Sequence, residues 1–195
     1  MSQLSKLLKT LSIDPSCEAK LLAFVTLFEK WNERINLSAS RSREAVVEHV
    51  RDSLHVVPLL RSCGTVLDVG SGGGFPVVVA AICLPSTSFV ALEPIHKKQA
   101  FLRTVARELN LSNLDAHAER IEDHPVRDYD AATSRATMDL RDWLELAQSH
   151  IRIGGLAIGF EGQPRDDLPA GTRRDTYALD GKQRALVVLE RIPTL

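Results

Sequence analysis

Thr65-Val66-Leu67-Asp68-Val69-Gly70-Ser71-Gly72-Gly73-Gly74-Phe75-Pro76 is the stretch on which the fold turns. Residues 65–69 form a short apolar run ending in glycines, the pattern of a strand buried inside a parallel sheet. The glycines that follow let the backbone approach a ligand closely, with no Cβ in the way. Residues 75–84 can then form a helix. A buried strand, a glycine turn and a helix in that order make the first turn of a nucleotide-binding α/β sheet.

Outward from this segment the chain alternates. Downstream, residues 88–92, 114–118, 130–134 and 156–160 read as further strands, the last behind Gly154-Gly155. Helical stretches at 95–109 and 140–151 lie between them, with Ile95, Leu102, Val105 and Leu109 on one side of the first. Alternating strands and helices imply a parallel sheet wound by right-handed crossovers. At the end, residues 176–179 and 185–190 flank the turn dipeptide Asp180-Gly181 and predict a hairpin with a slightly longer loop, which makes the sheet mixed. Upstream the pattern is helical: Leu21, Val25, Phe28 and Ile35 share one face of a helix over residues 17–36. A second helix over residues 43–57 carries Val46, Val47, Val50, Leu54 and Val57, with Pro58 expected to end it. The chain thus divides into an N-terminal helical extension, residues 1–62, and an α/β core, residues 63–195.

Composition sets the outer limits. The chain has 195 residues, 44% of them hydrophobic and 25% charged, ordinary values for a globular protein and against disorder. A net charge of −1 announces no global basic field. The three cysteines, Cys17, Cys63 and Cys83, match no metal-binding or disulfide pattern and read as small buried hydrophobes of a reducing compartment. The longest apolar run, residues 77–84, is too short to cross a bilayer, and Lys6 and Lys9 interrupt any signal-peptide core. The expectation is a cytoplasmic protein with no metal and no membrane partner.

Two carboxylates sharpen the reading of the glycine loop. Asp68 lies two residues before Gly70, and Glu93 ends the second strand, about 20 residues past the loop, where an acid accepts from ribose hydroxyls. An adenosine ribose belongs to both NAD and S-adenosylmethionine, so the acid does not separate them. The loop does: NAD sites favour a third glycine three residues after the second, and here that position is Phe75, followed by Pro76. Gly70-x-Gly72-x-Gly74 preceded by Asp68 resembles the class I AdoMet-dependent methyltransferases, Rossmann-like folds with a mostly parallel sheet and an antiparallel final strand.

The resemblance extends further. Lys30-Trp31-Asn32, Asn36-Leu37-Ser38, His49-Val50-Arg51-Asp52-Ser53, the 68–76 loop and Ser134-Arg135-Ala136 occur in one order. This set is similar to the family of ribosomal RNA small subunit methyltransferase G, also called glucose-inhibited division protein B, from about Leu21 to Glu190. The family implies N7 methylation of a guanine in 16S ribosomal RNA, with the RNA or the small ribosomal subunit as partner and S-adenosylmethionine as donor. Carried over by position, the cofactor contacts are Gly70, Phe75, Ile121, Glu122 and Arg135, to which Asp68, Gly72, Gly74 and Glu93 add from the loop argument. This chain departs from the family's usual pattern with Val77 after the loop proline and with Glu161-Gly162 where Lys-Gly is usual, a charge reversal.

Guanine N7 presents a lone pair and has no proton to lose, so its methylation needs alignment rather than a general base. Arg135 either holds the cofactor carboxylate or engages the RNA near the base. His49 and Asp52, three apart on one side of a helix, either line an RNA entrance or cap a helix–helix contact. Asn36, Arg41, Arg43 and Glu161 complete the expected substrate-side residues, and Arg41, Arg43 and Arg51 form the basic cluster expected to meet phosphates. The charge reversal at Glu161 also leaves room for a methyltransferase acting on a small molecule, or for a decayed AdoMet- or RNA-binding module.

Overall fold

The computed structural model describes residues 2–39 and 42–193. Four helices lead: α1 (Gln3–Thr10), α2 (Cys17–Ile35), α3 (Arg43–Leu54) and α4 (Val57–Leu60). The α/β part follows as β1 (Thr65–Val69), α5 (Val77–Cys83), β2 (Ser88–Leu92), α6 (His96–Glu108), β3 (Leu114–His117), a 3₁₀ turn (Ile121–Asp123), β4 (Tyr129–Ser134), α7 (Leu140–Ala147), β5 (Ile151–Glu161), β6 (Arg173–Leu179) and β7 (Lys182–Glu190).

The seven strands form one sheet in the order β3-β2-β1-β4-β5-β7-β6. β1 to β5 pair in parallel, and β7 runs antiparallel between β5 and β6. The order reverses between β1 and β4, which opens a crevice at the carboxyl ends of those strands. The helices divide unequally over the two faces. The larger core cluster joins Leu8, Phe24, Phe28, Val50 and Leu54 of the leading helices to Val66, Phe89, Ala131 and Ile158 of the sheet, with Phe101 and Val105 of α6. The smaller one packs Trp143, Leu144 and Ala147 of α7 on Leu67, Leu92, Ala132 and Ala157.

Three local expectations are corrected. Pro58 does not end α3; the helix stops at Leu54, and Pro58 sits in the first turn of α4, where its missing N–H costs nothing. β5 starts at Ile151, so α7 ends at Ala147 and Gly154-Gly155 lie inside the strand, at φ +76° for Gly154 and beside a register shift opposite Tyr129 and Ala131. The hairpin loop is only Asp180 and Gly181, at φ +48° and +77°, the two-residue form whose twist matches the strands. No described helix is long and apolar enough to cross a membrane.

Candidate active site

A cleft of about 720 Å³ opens where the sheet order reverses. The loop after β1 supplies Gly70 to Gly73 and Phe75, the turn after β2 supplies Glu93, Pro94 and Ile95, and the ends of β4 and β5 supply Arg135 and Glu161. Elements outside the parallel strands close its sides: Leu37 and Ser38 after α2, His49 and Asp52 of α3, Tyr177 of β6 and Arg184 of β7.

The floor is built by backbone geometry. Gly70 and Ser71 donate their N–H groups to the Leu92 carbonyl at 2.9 and 3.1 Å, so the loop curls over the end of β2. Gly70 has φ +68°, and a Cβ there would lie 1.9 Å from Thr137 Cγ2; the position admits no side chain. Glu93 is buried, with Oε2 accepting the Gly72 N–H at 2.8 Å and Oε1 the Ile95 N–H at 2.9 Å. Each oxygen retains acceptor capacity beyond that one bond. Asp68 lies deeper, 1% exposed, with Oδ1 accepting from the Thr133 hydroxyl at 2.6 Å. Its Oδ2 is buried and has no hydrogen-bond partner among the described residues. Burial pushes the Asp68 pKa up to about 6, against the opposing pull of its hydrogen bonds and of Arg135. A buried carboxylate oxygen left unpaired is costly, and an acceptor of that kind under a cleft suits a cationic or N–H-bearing ligand.

One wall is aromatic and basic. Phe75 packs between Phe24 and Phe28, at ring centroid distances of 5.2 and 5.3 Å, and the Arg135 guanidinium carbon stands 5.0 Å from its ring centroid. His49 lies 5.5 Å from the same ring, and its pKa is lowered by burial first and by Arg135 second, which keeps the imidazole neutral near pH 7. Arg135 Nη1 is 3.4 Å from Oδ2 of the buried Asp52. Oδ1 of Asp52 accepts from the Tyr177 hydroxyl at 2.8 Å and pairs with Arg184 Nη1 at 3.2 Å, while Arg184 also reaches Glu48 at 2.8 Å.

Glu161 is the main surprise. It lines the cleft, but it is 5% exposed and its carboxylate is fully engaged. Arg174 grips it with Nε at 2.8 Å and Nη2 at 3.0 Å, and the Arg165 N–H adds a bond at 3.1 Å. Arg174 also donates to the Arg165 carbonyl, and Arg165 pairs with Asp139 at 2.6 Å. The negative charge at Glu161 is therefore answered internally: the carboxylate ties the loop between β5 and β6 to the end of β5.

The cleft thus brings together Gly70, Gly72, Phe75, Glu93, Arg135, His49, Asp52 and Glu161, with Asp68 beneath. Other expected residues are not gathered there. Gly74, at φ +88°, faces α5, where a Cβ would meet Val78 Cγ2 at 2.6 Å. Ile121 is buried in the smaller core cluster, Glu122 is exposed, and neither lines the cleft. Asn36 is the left-handed C-cap of α2, at φ +52°, and only its successors Leu37 and Ser38 reach the cleft. Arg43 pairs with Glu29 at the surface, Arg51 with Asp180 at 2.9 Å, and Arg41 lies outside the described residues. Sequence reasoning missed Thr133, Tyr177 and Arg184. Hairpin alternation assigns the last two to a shared face, but nothing local says that Asp52 lies under it.

The comparisons with known proteins agree with this fold. The family model described as rRNA small subunit methyltransferase G matches residues 17–191. The chain is 37% identical over 196 residues to the ribosomal RNA small subunit methyltransferase G of Aromatoleum aromaticum, covering 93% of each chain. It is 38% identical over 190 residues to the protein of the same name from Neisseria gonorrhoeae, covering 92% of each. Among solved structures, the O-methyltransferase TomG from Streptomyces achromogenes, in complex with SAM, aligns with a TM-score of 0.61 at 12% identity, covering 87% of this chain and 90% of that one. A methyltransferase from Geobacter sulfurreducens gives 0.61 at 15% identity over 88% and 89%. Such identities speak to the fold alone, which is that of the class I methyltransferases. With a match that runs from the first residue of α2 to just past the end of β7, the chain belongs to the rRNA small subunit methyltransferase G family.

Proposed function

We propose that this protein transfers the methyl group of S-adenosylmethionine to N7 of a guanine in 16S ribosomal RNA, acting in the cytoplasm on the RNA or on the small ribosomal subunit. Family membership over residues 17–191 supports the substrate. The observation that carries the cofactor is a pair of buried carboxylates, Glu93 lining the cleft with acceptor capacity on both oxygens and Asp68 beneath it with an unpaired Oδ2. They fit a ligand that offers two ribose hydroxyls and carries positive charge. When bound, S-adenosylmethionine supplies an electrophilic methyl group on a sulfonium.

The chain's own residues then have three tasks. Glu93 accepts from the ribose hydroxyls, and the glycine loop keeps side chains out of their way. Asp68 gives its unpaired oxygen to a cationic or N–H group, and Arg135 gives a guanidinium to a carboxylate or to the RNA. Gly70 and Phe75 supply backbone and ring contacts to the cofactor. Phe75, His49 and Phe160 offer apolar and aromatic surface that excludes water and aligns a planar base. No residue is asked to remove a proton, because N7 has none; the neutral His49 suits that role as a wall. Residues 1–62 serve as an extension on the catalytic core of residues 63–195, lending His49 and Asp52 to the cleft.

The test is methylation of small subunits, and of naked 16S RNA, from cells lacking the enzyme, followed by nucleoside mass spectrometry. N7-methylguanosine formation at one site supports the proposal. Turnover of small molecules without RNA methylation favours the alternative substrate class, and S-adenosylmethionine binding without turnover favours a binding module.

A further inference from the structure

We propose that Tyr177 is a positioning residue: through Asp52 it fixes the Arg135 guanidinium against the cleft wall, so that the C-terminal hairpin governs the geometry of the site. The inference rests on the reading of the cleft as the methyl-transfer site, and goes beyond it by giving β6 and β7 a part in the reaction.

The hairpin register is where the argument starts. Tyr177 on β6 and Arg184 on β7 are direct cross-strand partners, and both reach the same oxygen, Asp52 Oδ1, at 2.8 and 3.2 Å. A slip of the whole hairpin by one residue against β5 would send both to the opposite face of the sheet. One hydrogen bond, from Tyr177, and one ion pair, with Arg184, set the rotation of the carboxylate at Oδ1, which leaves Oδ2 toward Arg135 at 3.4 Å. That separation exceeds the usual 2.7–3.2 Å of a good hydrogen bond. Arg135 is therefore held by charge more than by tight bonding, and its orientation depends on how the carboxylate is turned. Asp52 is buried, so it cannot turn to water instead. Arg184 is shared with Glu48 at 2.8 Å and meets Oδ1 as an ion pair, so among the described residues the Tyr177 hydroxyl supplies the hydrogen bond that orients the carboxylate, and its loss loosens that orientation.

The ring of Tyr177 has its own support. His55 stacks on it, centroids 3.8 Å apart and planes 15° from parallel, and Arg51 ties the hairpin turn to α3 through Asp180 at 2.9 Å. Replacing Tyr177 by Phe therefore removes one oxygen and leaves packing and register in place.

The test combines side-chain NMR with kinetics. The Nε–H signal of Arg135, assigned by its absence in Arg135→Lys, should be shifted and exchange-protected in the wild type and should move toward the exposed-arginine position in Tyr177→Phe. Methylation of small subunits by Tyr177→Phe should fall about tenfold in kcat/KM, the scale of a lost hydrogen bond to a charged group. Added to Arg135→Ala, the same substitution should cost nothing further, because both act through one guanidinium. An unmoved Arg135 signal, or additive losses in the double variant, overturns the proposal. If Tyr177→Phe does not fold, Asp52→Asn must move the same signal, and failure to do so is equally fatal. A wild type that methylates no RNA defeats the functional reading, and the NMR result then decides the positioning of Arg135 by itself.

Discussion

Replacing Glu161 by lysine, the residue that the sequence resemblance leads one to expect there, should destabilise this protein rather than improve its grip on RNA. The side chain is 3% exposed, and its two oxygens accept from Arg174 Nε, Arg174 Nη2 and the Arg165 N–H. A lysine there removes all three acceptor contacts and confines an ammonium beside a guanidinium. Breaking a buried pair from one side costs about 3–5 kcal/mol. Arg174 is 36% exposed and can turn its charge to water, so the lower end of that range applies. For a chain of this length about 3 kcal/mol corresponds to a fall of roughly 6–12 °C in Tm. Glu161→Gln, which keeps one acceptor oxygen, should cost about 1–2 kcal/mol. The assay is thermal and urea unfolding followed by circular dichroism, with salt titrations of RNA binding alongside. The paired variant Glu161→Lys with Arg174→Glu should recover part of the loss. If Glu161→Lys melts with the wild type and binds RNA more tightly with a steeper salt dependence, Glu161 is a free repulsive charge and the reasoning fails.

Three further outcomes follow from the floor and wall of the cleft. Glu93→Ala should weaken S-adenosylmethionine binding roughly ten- to a hundredfold by calorimetry, since it removes the proposed ribose acceptor and leaves the Gly72 and Ile95 N–H groups unpaired; unchanged affinity takes Glu93 out of the site. Arg135→Ala should keep its far-ultraviolet spectrum and lose most methylation, and full turnover would make it a bystander. Asp68 has its pKa raised from 3.8 to about 6, so the folded state holds the proton more tightly, and stability is lost as pH rises from about 4 to 6. The gap corresponds to about 3 kcal/mol at most; Asp68→Asn should remove that pH dependence, be the more stable protein at pH 7.5 in urea, and bind the cofactor less well, and parallel pH profiles would discard the assignment.

The fold was legible because its decisive signals are local. A buried strand, a glycine turn and an apolar helix need no distant partner to be recognised, and β2 with α6 and β4 with α7 repeat the strand-to-helix alternation with different connectors. What misled was local chemistry with two uses. Pro58 suits the first turn of a helix as well as the end of one, and only the packing of α4 decides between them. Gly154-Gly155 reads as a strand boundary, yet β5 carries the pair within a bulge because β4 shifts its register there. The sequence predicts a longer hairpin loop than is present because the polar start of β7, Lys182 and Gln183, is exposed and carries no apolar signal.

The site divides along the same line. Gly70, Gly72, Asp68 and Glu93 hold chemistry set by the strand and loop they belong to, so their spacing betrays them. Glu161 and Asp52 do not. The meaning of a carboxylate depends on the cations it meets, and Glu161 meets Arg174 from 13 positions away while Asp52 meets Tyr177 from 125. Read without those partners, Glu161 looks like a charge set against an RNA substrate; with them it is a clasp on the loop between β5 and β6. Asp52 undergoes the opposite change, from one of two alternatives at a helix contact to the carboxylate that α3, the hairpin and Arg135 share. The same physics separates the two from Asp68. Their oxygens are answered by guanidiniums of the chain, whereas Asp68 Oδ2 is answered by nothing among the described residues. A folded chain carries such a cost where a ligand relieves it, which is why the least satisfied carboxylate beneath the cleft, rather than the most exposed cation, is the residue on which the proposed cofactor site leans.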